Sequence, residues 1–128
     1  MRLLLDTHAF LWWLEDSPRL GQEARTLIGD PVCRVQVSAA SAWEIAVKLR
    51  KGSLIIERGD LRDIADEIRG QDFEELPITV SHAERAGRLP AHHSDPFDRM
   101  LIAQAQAEGL TLVSNEGLFD MYGITRVW

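Results

Sequence analysis

The sequence predicts a three-layer α/β/α domain built around a mostly parallel sheet. Three observations lead there. Short apolar runs of strand length alternate along the chain with segments of helical periodicity. The connections between successive strand candidates are themselves helical, as parallel pairing requires. The 128 residues are 45% hydrophobic and 27% charged, the balance of an ordinary soluble domain able to bury a core. One domain over 1–128 is expected, because no repeat, low-complexity segment or Pro/Gly/Ser linker divides it.

Each element has its own local signal. Leu3-Leu4-Leu5 is an apolar run stopped by Asp6. It reads as a buried strand and not as a signal peptide, for which the small-residue cleavage site is missing. Residues 7–15 read as a helix, with Phe10, Trp13 and Leu14 at helical spacing and Asp16-Ser17-Pro18 as the break. Gln22–Ile28 is a second helix, ended by Gly29-Asp30-Pro31. Residues 34–37 alternate polar and apolar, a strand pattern. Ser41-Ala42-Trp43-Glu44 has the form of a capping box opening the next helix, whose apolar face is Ala42, Ile45, Ala46 and Leu49 and whose stop is Gly52. Leu61, Ile64, Ala65 and Ile68 mark a helix over 61–68. A short strand is expected over 76–80 and a brief helix from Ser81 to near Gly87. Pro96–Glu108 is the strongest helix, closed by Gly109. A strand over 110–114, a helical turn over 117–121 and an edge strand over 124–127 complete the chain.

Composition excludes several functions. No apolar run approaches the ~18 residues of a membrane span. The one cysteine, Cys33, rules out an intramolecular disulfide and a Cys-rich zinc site, and a reducing cytoplasm fits best. A net charge of −6 argues against a broad basic face for nucleic acid, but not against acids clustered around metal ions.

The acids carry the chemistry. Asp6 directly follows the first strand, where it serves equally as a helix cap or as a metal ligand. Glu44 is the N3 member of the capping-box pattern, and its carboxylate also faces whatever lies over the helix start. Asp95-Pro96 is an N-cap followed by Pro at N1, which accounts for Asp95. Asp98 is not needed as a cap, and two acids in one turn repel unless a cation or donor stands between them. Glu116 lies just past the strand over 110–114, much as Asp6 lies past the first. Asp6, Glu44, Asp98 and Glu116 therefore fall at strand carboxyl ends or helix starts, the edge of a parallel sheet where sites form. Four carboxylates in one pocket need divalent metal, and an all-oxygen set selects Mg²⁺ or Mn²⁺.

Four segments, LLLDTHAFLWWL (3–14), VSAASAWEIAVKLRKGSL (37–54), LPITVSHAERAGRLPAHHSDPFDRMLIAQAQAEGLTLVSNE (76–116) and LFDMYGI (118–124), resemble PIN-domain proteins, and among them the VapC-type toxins of bacterial type II toxin–antitoxin pairs. The resemblance covers nearly the whole chain. It implies a compact α/β/α fold and metal-dependent endoribonuclease activity using Mg²⁺ or Mn²⁺. It also implies an RNA substrate, a cognate antitoxin that blocks the site, and a homodimer. Carried over by position, the site acids are Asp6, Glu44, Asp98 and Glu116. On this reading Asp6, Glu44 and Asp98 hold one ion, Glu116 assists it or a second, and water attacks the phosphorus in line to leave 5′-phosphate and 3′-hydroxyl ends. The chain departs from the family at Ser114-Asn115-Glu116, where many PIN domains have Thr-x-Asp. Serine keeps the hydroxyl, glutamate lengthens the arm by a methylene, and Asn115 offers a neutral oxygen. Thr7 and Ser114 are candidates to orient water or phosphate, or to cap helices.

Other conspicuous residues have plainer explanations. His92-His93 lacks zinc spacing and reads as an exposed or RNA-grazing loop. His8 and His82 read as structural residues of helix starts. Lys48, Arg50 and Lys51 read as a solvated helix end, with contact to RNA phosphate, aided by Arg58, as the lesser reading. Arg99 either holds an acid in place or binds phosphate as a fork. Trp12, Trp13 and Trp43 read mostly as core, with a dimer or antitoxin surface as the alternative for the first helix; Trp128 fits either. Two other functions compete: a PIN-like module that binds RNA or protein with little or no cutting, and a phosphohydrolase with Asp6 as nucleophile, ranked low for want of a matching downstream lysine. The acidic charge favours a structured RNA target selected by shape.

Overall fold

Leu3, Leu4 and Leu5 are all fully buried because their strand lies at the centre of the sheet, covered on both faces. A computed structural model describes residues 1–56, 61 and 63–128. In chain order the elements are β1 (Arg2–Leu5), α1 (Thr7–Leu14), α2 (Gln22–Ile28), β2 (Arg34–Ser38), α3 (Ala39–Lys51), α4 (Ile64–Gly70), β3 (Glu74–Leu76), α5 (Val80–Arg88), α6 (Pro96–Glu108), β4 (Thr111–Val113), a 3₁₀ turn (Gly117–Tyr122) and β5 (Arg126–Val127). The sheet order is β3-β2-β1-β4-β5, and every pairing is parallel. Among the described residues no helix is long and apolar enough to cross a membrane.

The period-two alternation of β1 separates the two layers. Leu3 and Leu5 join Val35, Val37 and Val113 on one face, against α1, α2 and α4. Leu4 joins Leu76 and Leu112 on the other, against α6 and the 3₁₀ turn. The start of α3 gives Ala40 to the second layer while Ile45 goes to the first, so this helix straddles the sheet edge. Trp128 closes the first layer by packing edge-on to Trp12, and its backbone lies so near Gly21 that any Cβ there would clash at 2.5 Å.

The structure corrects several sequence expectations. The expected capping box at Ser41 is not the helix start. β2 runs into α3 without a loop, and Ser38 is the N-cap, its Oγ accepting from the Ala40 N–H at 3.0 Å. Ala46, expected on the apolar face, is exposed. The third strand lies earlier than 76–80: Glu74–Leu76 pairs with β2, and Pro77, lacking an N–H, follows it. Its charged side chains suit an edge, and Arg34 makes a bidentate contact to Glu74 at 2.8–2.9 Å. α5 starts at Val80, where Thr79 and His82 form a capping box. α4 starts at Ile64, with Leu61 buried ahead of it. Trp43, read as core, is 63% exposed. Arg58 lies outside the described residues.

Candidate active site

Strand order reverses between β1 and β4, and at such a switch point the loops leave the sheet in opposite directions and open a crevice. Asp6 stands at this point. Its N–H donates to Val113 O at 3.0 Å, so the β1–β4 ladder continues to the last residue before the crevice. Its Oδ1 accepts from the Ala9 N–H at 2.7 Å, capping α1, and the wholly buried Ser114 hydrogen-bonds the same carboxylate. Burial pushes the Asp6 pKa up, and the bonds from Ser114 and Ala9 pull it back.

Glu44 enters from the neighbouring strand's helix. It sits on the buried face of α3, almost wholly enclosed. The Thr7 hydroxyl donates to its Oε1 at 2.6 Å, and Lys48, one turn on, donates to its Oε2 at 2.5 Å. Since an ionised carboxylate only accepts, the Thr7 proton goes to Glu44, and Ser41 Oγ, 3.0 Å away, donates to Thr7. Thr7 thus fixes Glu44.

Asp95 and Asp98 come from the start of α6. Asp95 Oδ1 accepts from the N–H groups of Phe97 (2.8 Å) and Asp98 (3.1 Å), so Asp95 is a true cap with Pro96 at the first helical position. Asp98 caps nothing. Its carboxyl is about a quarter exposed, with Oδ2 3.0 Å from Nε2 of His93. Its pKa is pushed up to about 7, first by burial and then by the charges of Asp95, Glu44, Asp6 and Glu116. The acids share one electrostatic neighbourhood.

Glu116 differs from the other acids. It is exposed, and its side chain accepts from the Leu118 N–H at 3.2 Å as the cap of the 3₁₀ turn. Ser114 Oγ accepts from the Glu116 N–H at 3.0 Å, shaping the turn that carries Asn115 and Glu116 to the rim. Asp6, Glu44, Asp95, Asp98, Asn115 and Glu116 line one cleft of about 300 Å³. Thr7 and Lys48 line it too, as do His8, Trp12 and the buried ring of Phe119.

Arg99 belongs to no part of this cleft. Its guanidinium donates to the carbonyls of Pro90, His93, Ala86 and Leu89 at 2.7–3.0 Å. It neither holds an acid nor presents a fork to phosphate, because α5 and the loop after it curl around it and use its donors. The loop reading of His92-His93 also needs correction. His92 is exposed, but the His93 side chain is only 12% exposed and faces Asp98. His82 is buried and structural, capping α5 and contacting Glu108 Oε1 at 2.8 Å. His8, read as structural, is exposed at the cleft rim. No local signal marked His93 as enclosed, because Phe119 and Tyr122, which pack against and bind it, come from a later part of the chain; Lys48 was visible in the four-residue spacing from Glu44.

The donor set suits a divalent hard cation. Its ligand atoms are carboxylate oxygens, and their mutual repulsion is what such a cation relieves. Among the described residues no three acidic, His or Cys groups stand close enough to chelate an ion as they are, and the Glu44 carboxylate is engaged by Thr7 and Lys48.

Solved structures share this architecture. The chain is similar to VapBC2 from Rickettsia felis, in a structure with a DNA fragment from its promoter, with 14% identity and a TM-score of 0.67 over 99% of this chain and 98% of that one. It is similar to VapBC-1 from nontypeable Haemophilus influenzae, with 17% identity and a TM-score of 0.65 over 99% and 97%. FitAcB from Neisseria gonorrhoeae follows with 18% identity and a TM-score of 0.63 over 98% and 96%. At these identities the likeness is one of fold. No curated protein sequence matches the chain significantly. The family model for the PIN domain matches residues 3–123, nearly all of the sequence. With its all-parallel sheet and the acidic cleft at the strand switch, the chain belongs to the PIN domain family.

Proposed function

We propose that the protein is a metal-dependent endoribonuclease acting in the cytoplasm as the toxin of a toxin–antitoxin pair. One observation carries this reading: five carboxylates from four segments line the cleft at the strand switch, with Asp98 pushed up to about 7 by its burial and then by the other acids. A merely structural cluster would be expected to disperse such charges or pair them. Asp6, Glu44 and Asp98 would hold Mg²⁺ or Mn²⁺, with Glu116 at the rim. The ion, when bound, supplies Lewis-acid activation of water and neutralises charge on the scissile phosphate. Thr7 and Ser114 hold the carboxylates of Glu44 and Asp6 at the cleft, and Glu44 exchanges Lys48 for the ion when metal binds. Lys48, the one lysine or arginine lining the cleft among the described residues, meets the RNA phosphate.

Partners follow from similar reasoning. The related structures named above are VapBC and FitAcB assemblies, which supports a cognate antitoxin. A basic antitoxin side chain inserted among the acids would replace the metal's charge. The exposed Trp43, edge-on to Phe97 beside Met100 and Ile78, supports a homodimer contact on that face. Trp43→Arg should then sediment as a monomer; an unchanged dimer would place the contact elsewhere.

The decisive experiment incubates the antitoxin-free protein with total bacterial RNA in Mg²⁺, Mn²⁺ or EDTA, with Asp98→Asn as control. Discrete cleavage that needs metal, vanishes in the variant and leaves 5′-phosphates is expected. Full activity in EDTA, or 2′,3′-cyclic phosphate ends, rejects the mechanism. No cleavage by a folded, metal-binding protein favours the binding-module reading.

A further inference from the structure

The loop before α6 is held far more firmly than a surface connection requires. Tyr122 accepts from the His93 N–H at 2.8 Å and donates to Pro90 O at 2.8 Å. Arg99 donates to His93 O at 3.0 Å and to three other carbonyls of the segment. The His93 ring lies 5.6 Å from that of Phe119, tilted by 32°. Backbone N–H, backbone carbonyl and ring are thus each tied to a different part of the fold.

The ring nitrogens are distinguished as well. Nδ1 accepts from the Asp95 N–H at 3.3 Å. A nitrogen that accepts carries no proton, so in the neutral ring the proton is on Nε2. Nε2 is fully buried and makes no aligned hydrogen bond, yet it lies 3.0 Å from Asp98 Oδ2. The distance is that of a hydrogen bond and only the angle is poor. Carboxyl torsions are soft, so a small turn of Asp98 completes the bond.

We infer that His93 is a positioning residue for Asp98, holding one carboxylate oxygen through Nε2–H so that the other is presented to the cleft. Buried donors left without another acceptor are rare, and this one lies 3.0 Å from the acid that no cap or turn employs. Carboxylates that bind metal generally need such an outer partner to fix their rotation. Arg99 and Tyr122 act one step further out, by fixing the loop that carries His93. The inference rests on the metal-site reading of the cleft.

The test is Mn²⁺ titration calorimetry with wild type, Asp98→Asn, His93→Phe, His93→Gln and His93→Asn, alongside thermal unfolding in EDTA. Phenylalanine keeps the packing on Phe119 without either nitrogen. Glutamine places an amide N–H near the Nε2 position, and asparagine falls short of it. His93→Phe and His93→Asn should weaken Mn²⁺ binding about 10- to 100-fold, with His93→Gln within about threefold of wild type. If His93→Phe does not fold, the Gln and Asn pair decides by itself. Wild-type affinity in both Phe and Asn variants, or in Asn alone where Phe does not fold, with binding lost in Asp98→Asn, overturns the role of His93 and leaves the metal site standing. Equal Mn²⁺ binding by wild type and Asp98→Asn, or none by either, overturns the metal reading and this inference with it.

Discussion

Lys48 Nζ lies 2.5 Å from Oε2 of Glu44, so the cleft's own cation occupies one of its acids. The pair is an i, i+4 contact on α3, with Glu44 almost wholly buried and Lys48 about a third exposed. The bond from Glu44 is the main reason the Lys48 pKa is raised, and Asp95 and Asp98 add to it. An arriving divalent ion competes with this lysine for Glu44. Lys48→Met should therefore bind Mn²⁺ more tightly, by about three- to tenfold at low salt, the scale of one partly screened charge. The same variant should cleave RNA more slowly, having lost its contact to phosphate. Calorimetry and a cleavage assay separate the two effects; weaker Mn²⁺ binding in Lys48→Met would reverse the assignment.

Asp98 makes the metal-free protein sensitive to pH. A carboxyl with a folded pKa of about 7 and an unfolded value near 3.8 keeps its proton longer in the native state. Between those values the native state binds more protons, so stability falls as pH rises, and above about 7 the penalty is complete. Urea unfolding in EDTA should show Asp98→Asn gaining on wild type between pH 5 and 8, by on the order of 1–3 kcal/mol after allowing for solvent screening. Mn²⁺ at pH 8 should restore wild type but not the variant. Metal binding, and cleavage with it, should rise with pH through about 7. An Asp98→Asn difference that does not change with pH would show that the acids do not repel as described.

Arg99 is a structural residue, and its loss should be read in stability first. Four carbonyls share its donors, and a shorter cation cannot reach them all. Arg99→Ala should cost about 2–4 kcal/mol in thermal or urea unfolding, a few charge-assisted bonds partly replaced by water. Arg99→Lys should recover only part of that. A fully stable Arg99→Ala variant that fails to bind RNA would return Arg99 to phosphate recognition.

How much was legible in the sequence depends on how local each signal is. α2 and α6 match their expected bounds, because Gly-Asp-Pro after one, and Asp-Pro before and Gly after the other, act within a few residues. The start of α3 was misplaced because no loop separates it from β2, so the capping pattern at Ser41 competed with the true cap at Ser38. β3 was displaced because Glu74-Glu75-Leu76 has no strand alternation of its own and is recruited by pairing with β2. The acids could be grouped beforehand because strand ends and helix starts share one edge of a parallel sheet. The surroundings of His93 could not, since they join Asp98, Phe119 and Tyr122 from two other elements.

Glu116 gives the last prediction, and it separates ligation from proximity. Asp6 and Glu44 are buried and Asp98 is three-quarters so, while Glu116 is exposed and its carboxylate already caps the 3₁₀ turn through Leu118. It reaches the others by charge, as one of the smaller contributions to the raised Asp98 pKa. Asp6→Asn, Glu44→Gln and Asp98→Asn should each reduce single-turnover cleavage by on the order of 10²- to 10³-fold, the scale of losing a metal's transition-state stabilisation. Glu116→Gln should cost less than about tenfold, the scale of one exposed charge at several ångströms. Glu116→Asp, which shortens the arm but keeps the charge, should lie nearer to wild type than Glu116→Gln. A loss in Glu116→Gln as deep as in Asp98→Asn would instead mean that the longer arm closes on the ion when RNA binds, leaving the cap at Leu118 for the cleft.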